Sequence, residues 1–212
     1  YDLIVAAGGD GTMNEVVNGV YPSKMPIAFI PLGTVNVLAL EISLKNDVLS
    51  IVNYIAYGKV ERCWLGCSND RYFLLMMSVG HDAKSVAFVN RTLKTYFGKL
   101  AYLFSYLKSL IFSKKTIYQI SIGDEKYSAF NVIVSNGRLY GGNFVCAPQA
   151  SLNDDQLYIS MTQKGSRLHA LKYAALMFLG KYPNSSTVKN FPAKECLIES
   201  EELNQPIQLD GD

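Results

Sequence analysis

The chain has 212 residues, of which 49% are hydrophobic, and its formal net charge is +2 at pH 7. This length and composition predict a globular protein that buries one large core or two modest ones. The small net charge excludes an overall electrostatic attraction to nucleic acid or to an anionic surface, so any such attraction depends on local clusters of charge.

Membrane-spanning helices and cysteine metal sites are also excluded by the sequence. No stretch reaches the roughly 18 uncharged apolar residues that a spanning helix needs. The four cysteines have no metal-ligand spacing, which favours small apolar core residues in a reducing cytoplasm. The chain begins inside an apolar run and ends directly after a strand-like segment, so we expect an internal portion of a longer protein.

The first part of the chain alternates between predicted strands and helices. Residues 3–7 are continuously apolar, which predicts a strand covered on both faces of a parallel sheet. Apolar residues at helical spacing then predict a helix along one face, with members Met13, Val16, Val17 and Val20. Residues 26–30 predict a second strand, residues 35–43 the start of a second helix, and residues 47–57 a third helix.

From about residue 60, short alternating or apolar runs predict antiparallel β structure. Two hairpins are predicted, one joining residues 61–67 to 72–79 and one joining residues 117–122 to 127–134. Helices are predicted for an insertion at 83–112 and for residues 167–179. We therefore predict two domains, with residues 1–59 forming an α/β domain and residues 60–212 a β-rich domain.

The stretch Gly8-Gly9-Asp10-Gly11-Thr12 follows the first predicted strand and opens the first predicted helix. A helix N-terminus at the carboxyl end of a parallel strand offers unpaired N–H groups and a positive dipole end, which suit phosphate. Glycines would permit positive φ and close approach of the backbone to phosphate oxygens. Asp10 would repel bare phosphate, and a bound Mg²⁺ would resolve that conflict, while Thr12 would donate to phosphate or cap the helix.

An alternative is that these glycines only make a tight turn and Asp10 only caps the helix. The segment fits neither the Walker pattern nor the spaced glycines of dinucleotide folds. A second loop, Pro31-Leu32-Gly33-Thr34-Val35-Asn36, repeats the order of glycine and hydroxyl at a helix start. Two such loops can face one nucleotide, which favours the phosphate-binding interpretation.

Four motifs in order carry a resemblance to a known family. They are GGDGTMNE at 8–15, PLGTVN at 31–36, YGGNFVCAPQASLNDDQLYI at 140–159 and QLDGD at 208–212. Together they resemble the diacylglycerol kinase catalytic-domain family, which includes bacterial lipid kinases, sphingosine kinases and ceramide kinases. The resemblance implies a Rossmann-like nucleotide-binding domain, partial at its N-terminus, followed by an antiparallel β-sandwich domain with helical insertions. It also implies an ATP-dependent lipid kinase that phosphorylates a primary hydroxyl of a diacylglycerol-like or sphingoid lipid.

The resemblance further implies roles for individual residues. Those expected to bind the nucleotide are Gly8, Gly9, Asp10, Gly11, Thr12, Met13, Asn14, Thr34 and Asn36, with Asn36 ordering the second loop. A Mg²⁺ site is expected from Asp155 with the main-chain carbonyls of Leu152 and Leu157. Asp212 is expected to act as the base on the lipid hydroxyl, with Asp210 as its partner or substitute and Asp10 as a further catalytic residue. On sequence alone, residues 154–155 and 210–212 would be ordinary surface turns.

The sequence departs from the family pattern at three places. Val37 stands where the family often has Asp, Gln156 stands where Gly commonly follows the metal-site aspartate, and Asp212 replaces the commoner Glu. These departures concern the metal loop and the geometry of the acceptor more than nucleotide binding. Val37 suggests a different lipid.

Residues 83–123 contain no acidic residue but several lysines interleaved with aromatic residues. Such segments lie at bilayer interfaces, which predicts peripheral membrane contact by a cytoplasmic protein. The alternative is a helix packed on the β-rich domain with solvated lysines. Nucleic acid is not an expected partner, because no nucleic-acid-binding signature accompanies the aromatic residues. A soluble small-molecule kinase related to NAD kinases and a catalytically silent binding protein are alternative functions.

Overall fold

The computed structural model describes residues 1–87 and 115–211. Its first part consists of β1 (Ile4–Gly8), α1 (Asp10–Val20), β2 (Ile27–Pro31), α2 (Val37–Glu41) and α3 (Val48–Tyr57). Strands β1 and β2 pair in parallel, from Ile4 opposite Ile27 to Gly8 opposite Pro31. The parallel register places both strand ends, and the loops that follow them, side by side.

The three helices of the first part confirm the periodicity of the sequence, with α2 shorter than predicted. Helix α1 buries Met13 and Val17 against the strands. Helix α3 begins after Asp47, whose side chain accepts a hydrogen bond from the Ser50 N–H at 2.9 Å, and ends at Gly58. This N-terminal cap explains why the helix starts at Val48.

The second part contains twelve further strands and two further helices within the described residues. They are β3 (Gly66–Ser68), β4 (Arg71–Phe73), β5 (Met76–Gly80), α4 (His81–Ala87), β6 (Tyr118–Ile122), β7 (Glu125–Ala129), β8 (Asn131–Ser135), β9 (Leu139–Tyr140), β10 (Phe144–Val145), β11 (Leu157–Thr162), α5 (Arg167–Phe178), β12 (Val188–Ala193), β13 (Leu197–Ser200) and β14 (Ile207–Leu209). The predicted antiparallel β structure is confirmed.

Two antiparallel sheets enclose the main core of this part. A five-stranded sheet has the order β12-β11-β8-β5-β14, and a three-stranded sheet has the order β13-β6-β7. Alternate residues of the larger sheet, such as Met77, Val132 and Ile159, pack against Tyr118 and Ile120 of the smaller one. The period of two along each strand sends the intervening residues to the opposite face, where α5 packs through Tyr173.

The predicted hairpins are confirmed in part. Strands β3 and β4 pair through Asn69 and Asp70, and β6 and β7 pair through a turn in which Gly123 has φ +56°. The segment after Phe73 does not continue its hairpin, because β5 pairs with β8 and β14 instead. Likewise β8 leaves the β6–β7 hairpin for the larger sheet. The predicted insertion is described only as far as Ala87, and residues 88–114 lie outside the described residues.

One hydrophobic cluster crosses the predicted boundary near residue 60. It combines Ala6, Val17 and Phe29 of the first part with Leu75 and Leu152 of the second. The division into two domains stays a prediction, since the packing of this cluster is continuous. Within the described residues, no helix is both long enough and apolar enough to cross a membrane.

Candidate nucleotide and acceptor site

The two glycine-containing loops meet where β1 and β2 end. A β-carbon on Gly33 would lie 2.6 Å from the Cα of Gly9, and one on Gly8 would lie 2.4 Å from the Thr12 Oγ1. Neither contact is sterically possible, so glycine is required for close approach at both positions. The expectation of positive φ was wrong: Gly8, Gly9 and Gly11 all have other conformations, and Gly9 is extended at φ −94° and ψ −173°.

The N-terminus of α1 lies at this meeting point. The first main-chain hydrogen bond of the helix runs from the Met13 N–H to the Gly9 carbonyl at 3.1 Å. The N–H groups of Asp10, Gly11 and Thr12 therefore have no acceptor inside the helix. They lie at the positive end of the helix dipole, with the exposed Thr12 side chain beside them. This arrangement can bind a phosphate group.

Asp10 joins the first loop to the second. Its Oδ2 accepts the Val37 N–H at 2.9 Å and its Oδ1 accepts the Leu38 N–H at 3.0 Å. The carboxylate thus caps α2 from outside that helix. The sequence predicted that Asp10 would cap α1 or face a bound Mg²⁺, and did not predict its hydrogen bonds to the start of α2.

Asn36 orders the second loop through two hydrogen bonds to Gly33. Its Oδ1 accepts the Gly33 N–H at 2.8 Å, and its Nδ2 donates to the Gly33 carbonyl at 2.9 Å. Asn36 itself has φ +54° and ψ +59°, a left-handed conformation that asparagine tolerates better than most residues. In this loop Thr34 is exposed and directly follows Gly33, the residue that approaches Gly9.

Two residues predicted to bind the nucleotide are directed elsewhere. The side chain of Met13 is buried in the core, and its N–H is used by the Gly9 carbonyl. The amide nitrogen of Asn14 donates to the Tyr72 carbonyl at 3.0 Å and to Asp210 Oδ2 at 2.8 Å. Both amide hydrogens of Asn14 are therefore used within the protein. Asn14 faces the β-rich part and not the phosphate loops.

Asp210 is a buried anchor and not a base. Its Oδ2 accepts the Leu74 N–H at 2.7 Å as well as Asn14, and its Oδ1 accepts the N–H groups of Leu75 and Met76 at 2.8 and 3.0 Å. Burial raises the pKa of this carboxyl, against the opposing effect of its four N–H donors. With every oxygen occupied by donors, Asp210 cannot take a proton from a substrate hydroxyl, so the predicted role as a substitute base is corrected.

We call the connection between α1 and Asp210 the Asn14–Asp210 clamp, which consists of Asn14, Asp210 and the main chain of residues 72–76. Asn18, one turn after Asn14, supports it by exchanging hydrogen bonds with the Tyr72 main chain in both directions. The clamp fixes the start of the Asp210-Gly211-Asp212 segment relative to the helix whose N-terminus faces the loops. Asp212 lies outside the described residues.

A second connection joins α2 to the β9–β10 hairpin. The buried Glu41 accepts hydrogen bonds from Arg138 Nε at 3.0 Å and from the Leu139 N–H at 2.8 Å. At the tip of the hairpin, a β-carbon on Gly142 would lie 3.6 Å from Val35 of the second loop. The hairpin therefore borders the predicted nucleotide site.

Asp82 is a half-buried acidic residue that the sequence analysis did not single out. It accepts hydrogen bonds from the hydroxyls of Ser78 and Tyr140, and its own N–H donates to Asn131 Oδ1 at 3.1 Å. Burial raises the pKa of Asp82, and burial together with this carboxylate raises the pKa of Tyr140. The sequence contained one indication of its role. Asp82 lies two residues after the end of β5, just as Asp10 lies two residues after the end of β1.

The residues predicted to bind Mg²⁺ lie in and beside the loop that precedes β11. The Asp155 carboxylate forms an ion pair with Lys194, and the Leu152 carbonyl accepts the Trp64 N–H at 2.7 Å. The described residues hold no cluster of three His, Cys, Asp or Glu side chains that could bind a metal. The loop borders a cavity of about 590 Å³ between the two sheets. This cavity is lined by none of the phosphate-loop residues.

Comparison with known proteins places this geometry in a family. Residues 1–67 match the family described as diacylglycerol kinase catalytic domain, and residues 76–212 match the family described as YegS C-terminal NAD kinase beta sandwich-like domain. The chain belongs to the family described as YegS C-terminal NAD kinase beta sandwich-like domain, whose match covers more than half of its residues. The resemblance predicted from the four motifs is thereby confirmed, and the two matched ranges together cover nearly all of the chain.

Relatives of the diacylglycerol kinase family align along the whole chain. A diacylglycerol kinase of Bacillus subtilis is 29% identical over 219 residues, covering all of this chain and 71% of that protein. One from Staphylococcus saprophyticus is 27% identical and is covered to 70%. The crystal structure of a diacylglycerol kinase from Bacillus anthracis superposes with a TM-score of 0.75 at 26% identity, covering all of this chain and 70% of that one.

Proposed function

We propose that this protein is an ATP-dependent kinase that transfers the γ-phosphate of ATP to a primary hydroxyl of a membrane lipid, either diacylglycerol-like or sphingoid. The match of residues 1–67 to the diacylglycerol kinase catalytic domain, and the similarity of the whole chain to proteins named diacylglycerol kinase, support the lipid kinase class predicted from the sequence. The observation that carries the proposal is the contact of Gly9 with Gly33 at the N-terminus of α1. This contact brings the two glycine-containing loops together at the start of the helix.

The first loop and α1 bind the nucleotide phosphates in this proposal. The N–H groups of residues 10–12 and the hydroxyls of Thr12 and Thr34 donate to phosphate oxygens, while Gly8 and Gly9 allow the backbone to approach. Asp10 and Asn36 act on the second loop, which they hold against the first. The parallel β1–β2 pair with α1 between its strands supports a Rossmann-like assignment for residues 1–59.

The acceptor hydroxyl is activated by Asp212 in this proposal, and Asp210 sets the position of that residue through the clamp. Phosphoryl transfer has a loose transition state, so the protein mainly aligns the acceptor oxygen with the γ-phosphate and neutralises charge. One carboxylate near the hydroxyl is enough for proton removal. Asp82 and Tyr140 line the hairpin side of the same edge and are proposed to contact the acceptor head.

Mg²⁺ is proposed as the cation that accompanies ATP, and when bound it neutralises phosphate charge. A further Mg²⁺ is proposed at Asp155 with the carbonyls of Leu152 and Leu157, an all-oxygen ligand set that suits a hard cation. Lys194 competes with it for the carboxylate. Thermal unfolding with and without MgCl₂ tests this site: Lys194→Met should increase the stabilisation by Mg²⁺, and Asp155→Ala should abolish it. Equal stabilisation of the wild type and of both variants by MgCl₂ would show that no Mg²⁺ binds at Asp155.

One experiment decides the function. The protein is incubated with labelled ATP, Mg²⁺ and a total lipid extract, and labelled lipids are identified by mass. A labelled lipid that Asp10→Asn fails to produce supports the proposal. Label transferred only to a water-soluble acceptor would favour a small-molecule kinase related to NAD kinases, to which the sandwich family description points. No transfer to any acceptor would favour a catalytically silent binding protein.

A further inference from the structure

Helix α5 has an apolar stripe on the side that faces away from the core. Ala170 and Tyr173 pack beneath the helix against the five-stranded sheet. The outer stripe is formed by Leu168, Leu171, Ala175, Phe178 and Leu179, and its four large members are 75%, 43%, 75% and 63% exposed in that order. At 3.6 residues per turn these positions fall within an arc of about 100°.

Exposed apolar side chains that occur singly need no explanation, but a continuous stripe does. A helix on the surface of a globular protein normally has charged or polar residues opposite its buried face. Helix α5 instead is apolar on both faces. The outer stripe therefore indicates a surface that is covered when the protein works.

The charges around the stripe identify what covers it. The helical positions of Arg167 and Lys172 flank the stripe on its two sides, and the exposed Lys164 and Lys181 lie beyond its ends. No Asp or Glu occurs between Gln156 and Lys194 in the sequence. A negatively charged, apolar partner is complementary to this face, and an anionic lipid bilayer has both properties.

A second copy of the chain is a poorer partner for the same face. Two copies that pack α5 against α5 bring lysines together with lysines, and the acid-free segment offers no carboxylate to pair with them. Like charges held together across an interface are unfavourable. The bilayer is therefore favoured over self-association.

The stripe also contacts the hairpin that borders the predicted transfer site. The ring of Phe178 lies 5.8 Å from the ring of Phe144, which belongs to the β9–β10 hairpin. The same hairpin places Tyr140 against Asp82 and Gly142 beside Val35 of the second phosphate loop. One hairpin thus connects α5 with the predicted transfer site.

We propose that the outer face of α5 is a membrane-docking surface for anionic bilayers. Its apolar stripe enters the boundary between headgroups and acyl chains, and Lys164, Lys172 and Lys181 contact anionic headgroups. The proposal involves none of the residues 88–114, which lie outside the described residues. The proposal goes beyond phosphoryl transfer and is tested without ATP.

Sedimentation with vesicles tests the surface. The probe is phosphatidylcholine vesicles with and without 30% phosphatidylglycerol. We expect Leu168→Ser combined with Phe178→Ser to weaken binding at least about tenfold. Lys172→Glu should weaken binding to the anionic vesicles by more than the roughly fivefold per lysine that follows from about 1 kcal/mol per charge, because the charge is reversed. High salt should reproduce the effect of the lysine variant.

Two matched variants control for general effects. Leu203→Ser changes an exposed leucine, 86% exposed, in the turn before β14, and should leave binding unchanged. Lys189→Glu changes a lysine of the same acid-free segment whose ammonium lies 5.0 Å from the ring centroid of Tyr127, on the opposite face of the sheet. It should reduce binding less than twofold.

Three outcomes of the binding experiments would overturn the proposal. The first is that the double variant Leu168→Ser with Phe178→Ser sediments with vesicles as the wild type does. Equal losses for Lys172→Glu and Lys189→Glu would show that only the total charge matters. A change of oligomeric state by the double variant, without a change in vesicle binding, would assign the stripe to contact between copies.

An activity assay separates this proposal from the proposed function. With a water-dispersed short-chain diacylglycerol as acceptor, the double variant should retain wild-type turnover, while turnover on vesicle-borne lipid falls. Loss on both acceptors would overturn docking in favour of a role in folding or catalysis. If the wild type phosphorylated neither acceptor, the kinase proposal would fail and the sedimentation result would still decide the docking surface.

Discussion

Gly33 shows how a single hydrogen atom in place of a side chain holds two loops together. Gly33→Ala places a methyl group 2.6 Å from the Cα of Gly9 and from the Asn36 Oδ1, so the second loop must move away from the first. We expect the dissociation constant for ATP to rise at least about tenfold, as measured by calorimetric titration. Such a loss of about 1.4 kcal/mol is modest for a displaced phosphate loop.

Gly19→Ala is the matched control for that variant. Gly19 lies in α1, and a β-carbon there would meet nothing within 4 Å. Alanine should stabilise the helix by about 0.5–1 kcal/mol without changing ATP affinity. If Gly33→Ala bound ATP as tightly as Gly19→Ala, the two loops would not form one nucleotide site.

Asp82 makes the free energy of unfolding of the protein depend on pH, and the direction of the change follows from its pKa. Its ordinary pKa is 3.8, and burial raises the pKa in the folded protein. As the pH rises from that value towards the folded pKa, the unfolded chain loses its proton first, so the free energy of unfolding falls. The contribution of this one proton is about 1.4 kcal/mol per pH unit within that window. Above the folded pKa the loss is complete.

Asp82→Asn removes this titration while keeping an oxygen for the hydroxyls of Ser78 and Tyr140. In urea denaturation at pH values from 4 to 8, we expect the variant to gain stability relative to the wild type as the pH rises. The other groups near this site, His81 and Lys84 on α4, remain in both proteins and cancel in the difference. If the stabilities of the two proteins changed in parallel with pH, the pKa of Asp82 would not be raised in the folded protein.

Helix α1 contacts two regions at once, with its N-terminus at the two glycine-containing loops and its second turn at Asp210. Asn14→Ala breaks the clamp but leaves residues 8–12 unchanged. If Asp210 positions the segment that carries Asp212, kcat should fall by about tenfold or more while KM for ATP changes less than twofold. Steady-state kinetics on the lipid acceptor measure this separation.

Asn18→Ala distinguishes positioning from plain stability. Asn18 also bonds to the Tyr72 main chain and donates to the Asn14 Oδ1 at 3.2 Å, but among the described residues no hydrogen bond joins it to Asp210. Both variants should lose about 1 kcal/mol of stability, which is typical for lost hydrogen bonds. Only Asn14→Ala should lose kcat. Equal losses of kcat in both variants would reduce the clamp to a structural contact.

The elements were predictable where a local pattern specifies them. Helix α1, helix α3 and strand β1 follow from apolar spacing, and the β6–β7 hairpin follows from its turn residues. The break between β4 and β5 was not predictable, because residues 74–76 donate their N–H groups to Asp210, which is more than 130 residues away. The motifs singled out Asp10 and Asn14, but the hydrogen-bond partners of both side chains lie on other elements and depend on the tertiary fold.

At the scale of the whole molecule, several polar connections and an apolar cluster join the first 59 residues to the rest of the described chain. Glu41 contacts the β9–β10 hairpin, Asn14 contacts Asp210, and Val17 shares a core with Leu75. These contacts lie at different places along the boundary between the two parts. In the proposed function, these contacts would hold the proposed phosphate loops and the proposed acceptor side in one arrangement, which phosphoryl transfer requires.

These connections predict that the chain unfolds as one cooperative unit despite its two predicted domains. Val17→Ala removes buried methyl groups from the first part and should cost about 1–3 kcal/mol. Trp64 is the single tryptophan and lies in the second part, where its N–H bonds to Leu152. In urea, the midpoint seen by Trp64 fluorescence should therefore fall together with the midpoint seen by circular dichroism. If Trp64 kept its wild-type midpoint, the two parts would unfold independently, and the boundary near residue 60 would separate two autonomous domains.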